Sequence, residues 1–458
     1  MKVISSQADD VMQKLKTRSD VRYVEKSKRG KFQSDSATIN STTIADLRES
    51  NWYQSIKGDS IADLSWGAGA LIAVLDTGID FQNQAFDSRI FINSGEIPDD
   101  LQDNDENGYV DDVRGFDIGD KDGSPLDENG HGTEVSSIIM AVAPNCIILP
   151  VKIDQGGDDS FETADLVEGI YYSISMGVKV INLSLTADQE LESVAEAIHA
   201  ARDAGIVVVA AAGNDGGNVE FPASMDETIA VGSLNNDYPA SFSAEGADLD
   251  IMAPGVAVDC ITLGGYETSV SGTSFSCAMV SGACAVLRGM NHHLKTDTVK
   301  SILFDGVDDL GFQGRDLTFG EGAIDGTLLF NAAAPGLKLP LSPFYAFPLS
   351  LPVQVGFHIP PSDTSSFVFV GAFSSDNTLW WLDQSNQWHN AVQEPLSPIA
   401  GVSPLSESVD GVLFGEGGAF PLFDPSNVAP GLYRWAIAVT DQSGTLIGPV
   451  TYEYMLLY

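Results

Sequence analysis

The sequence predicts an α/β protein, a largely parallel sheet flanked by helices, followed by a C-terminal all-β sandwich domain. Three observations carry that expectation. Short apolar runs at 71–75, 147–153, 178–183, 206–212 and 228–231 alternate with amphipathic helical stretches at 134–140, 164–176, 191–204 and 274–290. Strands joined through helices need crossover connections, which produce a parallel sheet covered on both faces. After Ala334 the composition turns Pro- and aromatic-rich, with Lys338 and Arg434 the only basic residues left. Short alternating runs there, at 367–373, 379–382 and 433–439, sit between Ser, Asp, Asn, Gly and Pro turns, the pattern of a small antiparallel sandwich.

In chain order the elements fall into three units. Residues 1–45 read as a separate leader and linker: a short polar helix around Val11 to Leu15, a strand-like Val21-Arg22-Tyr23-Val24, and a Ser/Thr-rich linker over 33–43. Residues 46–333 carry the α/β domain. Residues 340–458 carry the sandwich, set off by Ala332-Ala333-Ala334-Pro335-Gly336 and by Pro340, Pro343 and Pro348. Its Trp380, Trp381, Trp388 and Trp435 are expected to pack its core first and to bind a partner second. With 458 residues, 43% of them hydrophobic, the chain is long and apolar enough for units of this size.

Charge narrows the partners. Lys and Arg number 23 against 64 Asp and Glu, a net of −41, which repels nucleic acid and anionic membranes and favours a monomer or cation binding. Residues 1–30 hold eight Lys/Arg and four Asp/Glu, a net of +4, so the rest carries −45 and a basic arm faces an acidic body. No apolar run is long enough to span a bilayer, and residues 1–10 lack the apolar core of a secretory signal. Cys146, Cys260, Cys277 and Cys284 have no metal-ligand spacing; buried thiols are expected first, disulfides second.

The chemistry is carried by three motifs in one order. Val74-Leu75-Asp76-Thr77-Gly78 ends an apolar strand, Asn129-Gly130-His131-Gly132-Thr133 opens a helix, and Gly272-Thr273-Ser274-Phe275-Ser276 opens another, with spacings of 55 and 143 residues between Asp76, His131 and Ser274. A serine hydroxyl is a poor nucleophile and needs an imidazole to take its proton; the imidazole needs an acceptor to fix its tautomer and stabilise its cation. A carboxylate at a strand end can do the last from a rigid position, and a helix start offers Ser274 free backbone N–H groups that favour a developing oxyanion. Gly272 lets a substrate backbone approach.

Asp, then His, then Ser is the order of subtilisin, and from about Trp52 to Phe330 the chain resembles the subtilisin-like serine protease (subtilase) family. The resemblance implies a serine endopeptidase acting through an acyl-enzyme, with Asp76, His131 and Ser274 as the triad and no organic cofactor. It also implies that Asn214, ending the run Val207-Val208-Val209-Ala210-Ala211-Ala212-Gly213-Asn214, donates to the oxyanion; a donor of this kind is worth about 2.7–4 kcal/mol, a figure from subtilisin itself. Ile251-Met252-Ala253-Pro254-Gly255 and Phe319-Gly320-Glu321-Gly322-Ala323-Ile324-Asp325 are similar to the family as well. The rival readings are a catalytically silent scaffold or binding protein and an esterase using the same triad.

The family binds peptide as an added strand, and the resemblance assigns the flanking segments to Asn182-Leu183-Ser184-Leu185-Thr186 and Ala210-Ala211-Ala212-Gly213, so that Ser184, Leu185, Thr186, Ala211, Ala212 and Gly213 are expected to bind substrate. Thr186 stands where the family usually has Gly and would narrow the first pocket; Asp215 either favours a basic residue before the cleaved bond or is a solvated surface group. Structural Ca²⁺ is expected at the acidic run from Asp103 to Asp112, with Asp103, Asp105, Asn107, Asp111 and Asp112 as ligands and Gly108 at the sixth position. Its twelfth position is Arg114, so another carboxylate has to close the shell. The leader's Asp20-Val21-Arg22-Tyr23-Val24-Glu25 resembles the last strand of the family's inhibitory propeptides, followed by a cleavable Lys28-Arg29-Gly30-Lys31. Expected partners are therefore protein or peptide substrates and the chain's own propeptide. The family implies secretion or a place in the cell envelope, although no signal peptide stands in this chain.

Overall fold

The computed structural model describes residues 42–333 apart from 87, 88, 158, 159, 188, 292 and 293, together with 12, 15, 16, 28–31 and 36–37 of the leader and the backbone of strands beyond 345. The leader strand expected at 21–24, most of the helix around Val11 to Leu15, and the four C-terminal tryptophan side chains lie outside the described residues.

The central element is a ten-stranded sheet. Its parallel strands are β1 (Leu71–Asp76), β2 (Phe116–Asp117), β3 (Ile147–Lys152), β4 (Val180–Leu183), β5 (Val207–Ala211), β6 (Thr228–Asn235), β7 (Ile251–Pro254) and β8 (Ala323–Ile324). Their spatial order is β2-β3-β1-β4-β5-β6-β7-β8. Val307–Asp308 on β8 and Tyr238–Pro239 on β6 add antiparallel edges.

The strands read as continuous apolar runs because both faces are covered. Successive side chains point to opposite sides. Ile72 and Val74 of β1, with Val207 and Val209 of β5, pack under helices α1 (His131–Val142) and α4 (Thr273–Met290). Ala73, Leu75, Val208 and Ala210 pack under α2 (Thr163–Ser175) and α3 (Glu192–Asp203). Every residue of α4 is buried, as in a central helix, and small or apolar side chains make up most of its surface. Gly282 permits its close approach to α1: a Cβ there would lie 2.8 Å from Val142 Cβ.

Strand order places the site. The chain leaves β1 for β3 on one side and continues to β4 on the other, so a crevice opens beyond the C-terminal end of β1, where Asp76 sits. The expected strands and helices of this domain are present within a few residues of their predicted bounds.

The leader is less separate than expected. Arg29–Lys31 is the middle strand of a three-stranded antiparallel sheet between Ser160–Glu162 and Thr186–Ala187. Ser36–Ala37 pairs with Tyr266–Val270. From residue 345 on, the described backbone forms a seven-stranded and a two-stranded sheet; the described pairings are antiparallel except that of Tyr345–Phe347 with Thr451–Leu457. The four cysteines are buried free thiols, and burial pushes Cys146, Cys277 and Cys284 up to about 12, far from thiolate chemistry.

Candidate active site

Asp76 ends β1, His131 opens α1, and their side chains meet with Oδ1 and Nδ1 at 2.7 Å, both fully buried. The Thr77 backbone N–H also donates to Asp76 Oδ1, at 2.8 Å. Burial works to lower the His131 pKa, but the Asp76 charge and hydrogen bond, with Glu134 and Asp127 behind them, outweigh it and hold the imidazole above its ordinary value. The ring packs 5.7 Å from Phe275, the residue after Ser274, which sets it beside the start of α4.

Ser274 lies in the first turn of α4. Its hydroxyl donates to the Ser184 carbonyl at 3.1 Å, and the Ser184 hydroxyl donates back to the Ser274 carbonyl at 2.8 Å. Asn182 donates to Ser184 Oγ at 2.9 Å while its own Oδ1 accepts from Ser281 at 2.8 Å, so α4 and the end of β4 are locked together by polar bonds under the nucleophile. Asn214 Oδ1 accepts from both the N–H and the hydroxyl of Thr273, each at 2.9 Å, which turns its amide N–H groups away from α4. The structure thus brings Asp76, His131, Ser274, Asn214, Ser184 and Gly213 to the C-terminal ends of β1, β4 and β5.

Asp127 was not singled out from the sequence. It accepts from Thr77 Oγ1, Asn129 N and Gly130 N at one oxygen and from Thr133 N and Oγ1 at the other, between 2.6 and 2.9 Å. It therefore clamps the first turn of α1 to the residue beside Asp76. The signal was present in Asp127-Glu128-Asn129-Gly130 ahead of a helix start, a pattern for capping free N–H groups.

Two expectations meet a different local arrangement. β5 is an inner strand, paired with β4 on one side, Ala210 with Leu183, and with β6 on the other, Ala211 with Val231. The strand that lies against Thr186 has Ser160–Glu162 as its second neighbour. The acidic loop also departs from the expected pattern. Asp103 is spent on the N–H groups of Asn107 and Gly108, and Asp111 on those of Asp100 and Leu101. Asn107 turns its amide N–H toward Asp105 and Asp112 and its oxygen to Tyr109 N. Short Asp and Asn side chains satisfy nearby backbone, and Glu96 does so too, accepting from Asn104 N and Asp105 N at one oxygen and from Asp111 N at the other, between 2.8 and 3.1 Å. The carboxylates that converge are Glu96, Asp105 and Asp112, with oxygens within 4.8 Å of one another; Glu96 was not expected.

The model of the subtilase family matches residues 67–322, more than half of the chain. The thermophilic serine proteinase of Bacillus sp. (strain AK1) is 34% identical over 253 residues, 51% of this chain and 57% of that protein. Alkaline elastase YaB of Bacillus sp. (strain YaB) is 32% identical over 272 residues, 57% of this chain and 64% of that protein. Subtilisin DY of Bacillus licheniformis is 34% identical over 215 residues, 43% of this chain and 77% of that protein. The chain thus spans somewhat over half the length of the first two. It belongs to the subtilase family.

Proposed function

We propose that this chain is a serine-type endopeptidase that hydrolyses peptide bonds through an acyl-enzyme. The observation that carries the reading is the 2.7 Å contact between buried Asp76 and His131 beside a serine in the first turn of a helix. Ser274 turns from the Ser184 carbonyl toward His131, which takes its proton as Oγ attacks the substrate carbonyl. Asp76 holds Nδ1 protonated and stabilises the cation that forms. Asn214 and the Ser274 backbone N–H receive the oxyanion, and His131 then protonates the leaving amine. Water enters by the same route to release the acyl group. Covalent labelling of Ser274 by a fluorophosphonate probe, together with casein cleavage, tests this; a folded protein that takes up no label is the silent scaffold, and ester turnover without casein cleavage is the esterase.

The leader reads as the enzyme's own inhibitor, seated where substrate pairs. Besides the strand pairing, Lys28 N donates to Thr163 Oγ1 at 2.9 Å and Arg29 reaches Glu162 at 3.3 Å, as a basic arm on an acidic body should. A tethered segment acts at an effective concentration on the order of millimolar. Deleting residues 1–33 is expected to raise the initial rate on a peptide substrate by about tenfold or more, and the free leader peptide to lower it again. Equal rates with and without the leader sink the idea.

Structural Ca²⁺ fits Glu96, Asp105 and Asp112. They are hard oxygen donors converging on one point, and Asp112, fully buried, is held above the usual carboxylate range by its burial, so a cation there relieves a real cost. With calcium at about a hundred times Kd the gain is about 2.7 kcal/mol, or roughly 5–10 °C in Tm. EGTA is expected to lower Tm by that amount in the native chain and much less in Glu96→Gln; a Tm indifferent to EGTA counts against the site. No helix among the described residues is long and apolar enough to cross a membrane, and secretion or an envelope location remains the reading the family supplies. The C-terminal strands read as a sandwich domain that follows the peptidase domain.

A further inference from the structure

Beside the site lies a cavity of about 590 Å³ whose lining includes Thr186, Glu190, Asp215, Glu220 and Asp248, four of them carboxylates. Among the described residues the cation in its lining is Lys31, and that residue belongs to the leader strand. The pocket is not a remote acidic patch. Asp215 follows Asn214, whose oxygen is bound by the residue before Ser274. Glu220 is tied to the same strand end by its N–H on the Ala212 carbonyl at 2.8 Å. Its carboxylate lies against Gly213: a Cβ built on that residue, which has φ of +115°, would come 2.6 Å from Glu220 Oε1. The acidic group is therefore one residue away from the oxyanion donor.

The strand register says which substrate side chain meets this pocket. Gly30 pairs with Ala187 and Lys31 with Thr186, antiparallel. Two residues back along the wall from Thr186 is Ser184, whose carbonyl holds the Ser274 hydroxyl. A substrate strand in the leader's register thus reaches the nucleophile two residues after the position of Lys31. Side chains two apart on a strand share a face. The residue that supplies the scissile carbonyl consequently points to the side on which Lys31 lines the cavity. Carboxylates at that spot favour a cation, and they repel an acidic side chain.

We infer that the enzyme cleaves after lysine or arginine, with Glu220 as the main selecting group and Asp215 as its helper at the rim. The inference rests on the endopeptidase reading and adds the substrate class. It gives Asp215 the first of its two sequence readings, but as the lesser member of a pair whose principal residue the sequence did not mark.

The test is a series of peptides identical except for Arg, Lys, Phe, Leu or Glu before the cleaved bond, assayed with the full chain. The leader competes equally with every substrate, so ratios of kcat/KM are unaffected by it. Arg and Lys peptides are expected to exceed Phe by about tenfold or more and Glu by about a hundredfold, the order of magnitude of one and two charge contacts in a half-exposed site. Glu220→Gln should cut the Arg-to-Phe ratio by about tenfold, and Glu220→Lys should bring Glu above Arg. Asp215→Asn, at an exposed position with no core role, should lower the same ratio two- to threefold and guards against a misfolded Glu220 variant. Phe cleaved as fast as Arg, with ratios unmoved by Glu220→Gln and Asp215→Asn, overturns the inference and leaves peptide hydrolysis standing. No cleavage of any peptide by a folded chain that takes no fluorophosphonate overturns the endopeptidase reading itself.

Discussion

Ser274→Ala is expected to lower kcat by about six orders of magnitude, leave KM within a few-fold, and abolish fluorophosphonate labelling. The magnitude is the one measured for the nucleophile of subtilisin, a member of this family, where the residual rate comes from the oxyanion donors and binding alone. The split between kcat and KM follows from geometry. Strand pairing at Ser160–Glu162 and Thr186–Ala187 and the acidic pocket do not involve Oγ, so ground-state binding survives its removal. The fold should survive as well. The hydroxyl contributes one bond, to the Ser184 carbonyl, and the reciprocal bond from Ser184 to the Ser274 carbonyl remains. A net loss of about 1 kcal/mol is the scale for such a bond, partly offset because Ala is the better helix former. An unchanged rate in Ser274→Ala would assign the hydrolysis elsewhere.

What the sequence makes legible divides along physical lines. β1, β3, β4 and β5 are legible because both faces of a parallel sheet are covered, which leaves runs of apolar residues that stand out locally. Asp76, His131 and Ser274 are legible because each sits where such an element ends or begins, with a glycine within two positions. Ser160–Glu162 is not legible, since three residues carry no period and their partner strand lies more than a hundred residues away, in the leader. Glu220 follows a glycine-rich turn and is brought beside Gly213 only by tertiary structure. The acidic loop shows a different failure. Its pattern of oxygens fits a calcium loop, but Asp103, Asp111 and Glu96 all accept from N–H groups of the loop, and the carboxylate oxygens that converge come from Glu96, Asp105 and Asp112. A ligand pattern specifies which residue types are able to bind, and the path of the loop decides whose oxygens meet.

Asp76→Asn should lower kcat by about four orders of magnitude, less than loss of the nucleophile, again on the scale known for subtilisin. The hydrogen-bond geometry can persist, since Asn is nearly isosteric and Thr77 N can still donate to its oxygen. What is lost is charge. In the native site His131 must be neutral to accept the Ser274 proton, so activity falls as pH drops through the His131 pKa. That pKa is held up by Asp76 against full burial. The sign follows: removing the carboxylate leaves desolvation dominant, the neutral imidazole is favoured to lower pH, and the acid limb of residual kcat/KM should move toward acid relative to the native enzyme. Glu134 and Asp127 still face the ring from the first turn of α1 and the loop before it, so the limb does not fall as far as burial alone would take it. An acid limb that stays in place, with kcat reduced, would mean that Asp76 acts only by orienting the imidazole. A limb that moves together with the loss of rate assigns to it both the orientation of His131 and the stabilisation of its cation.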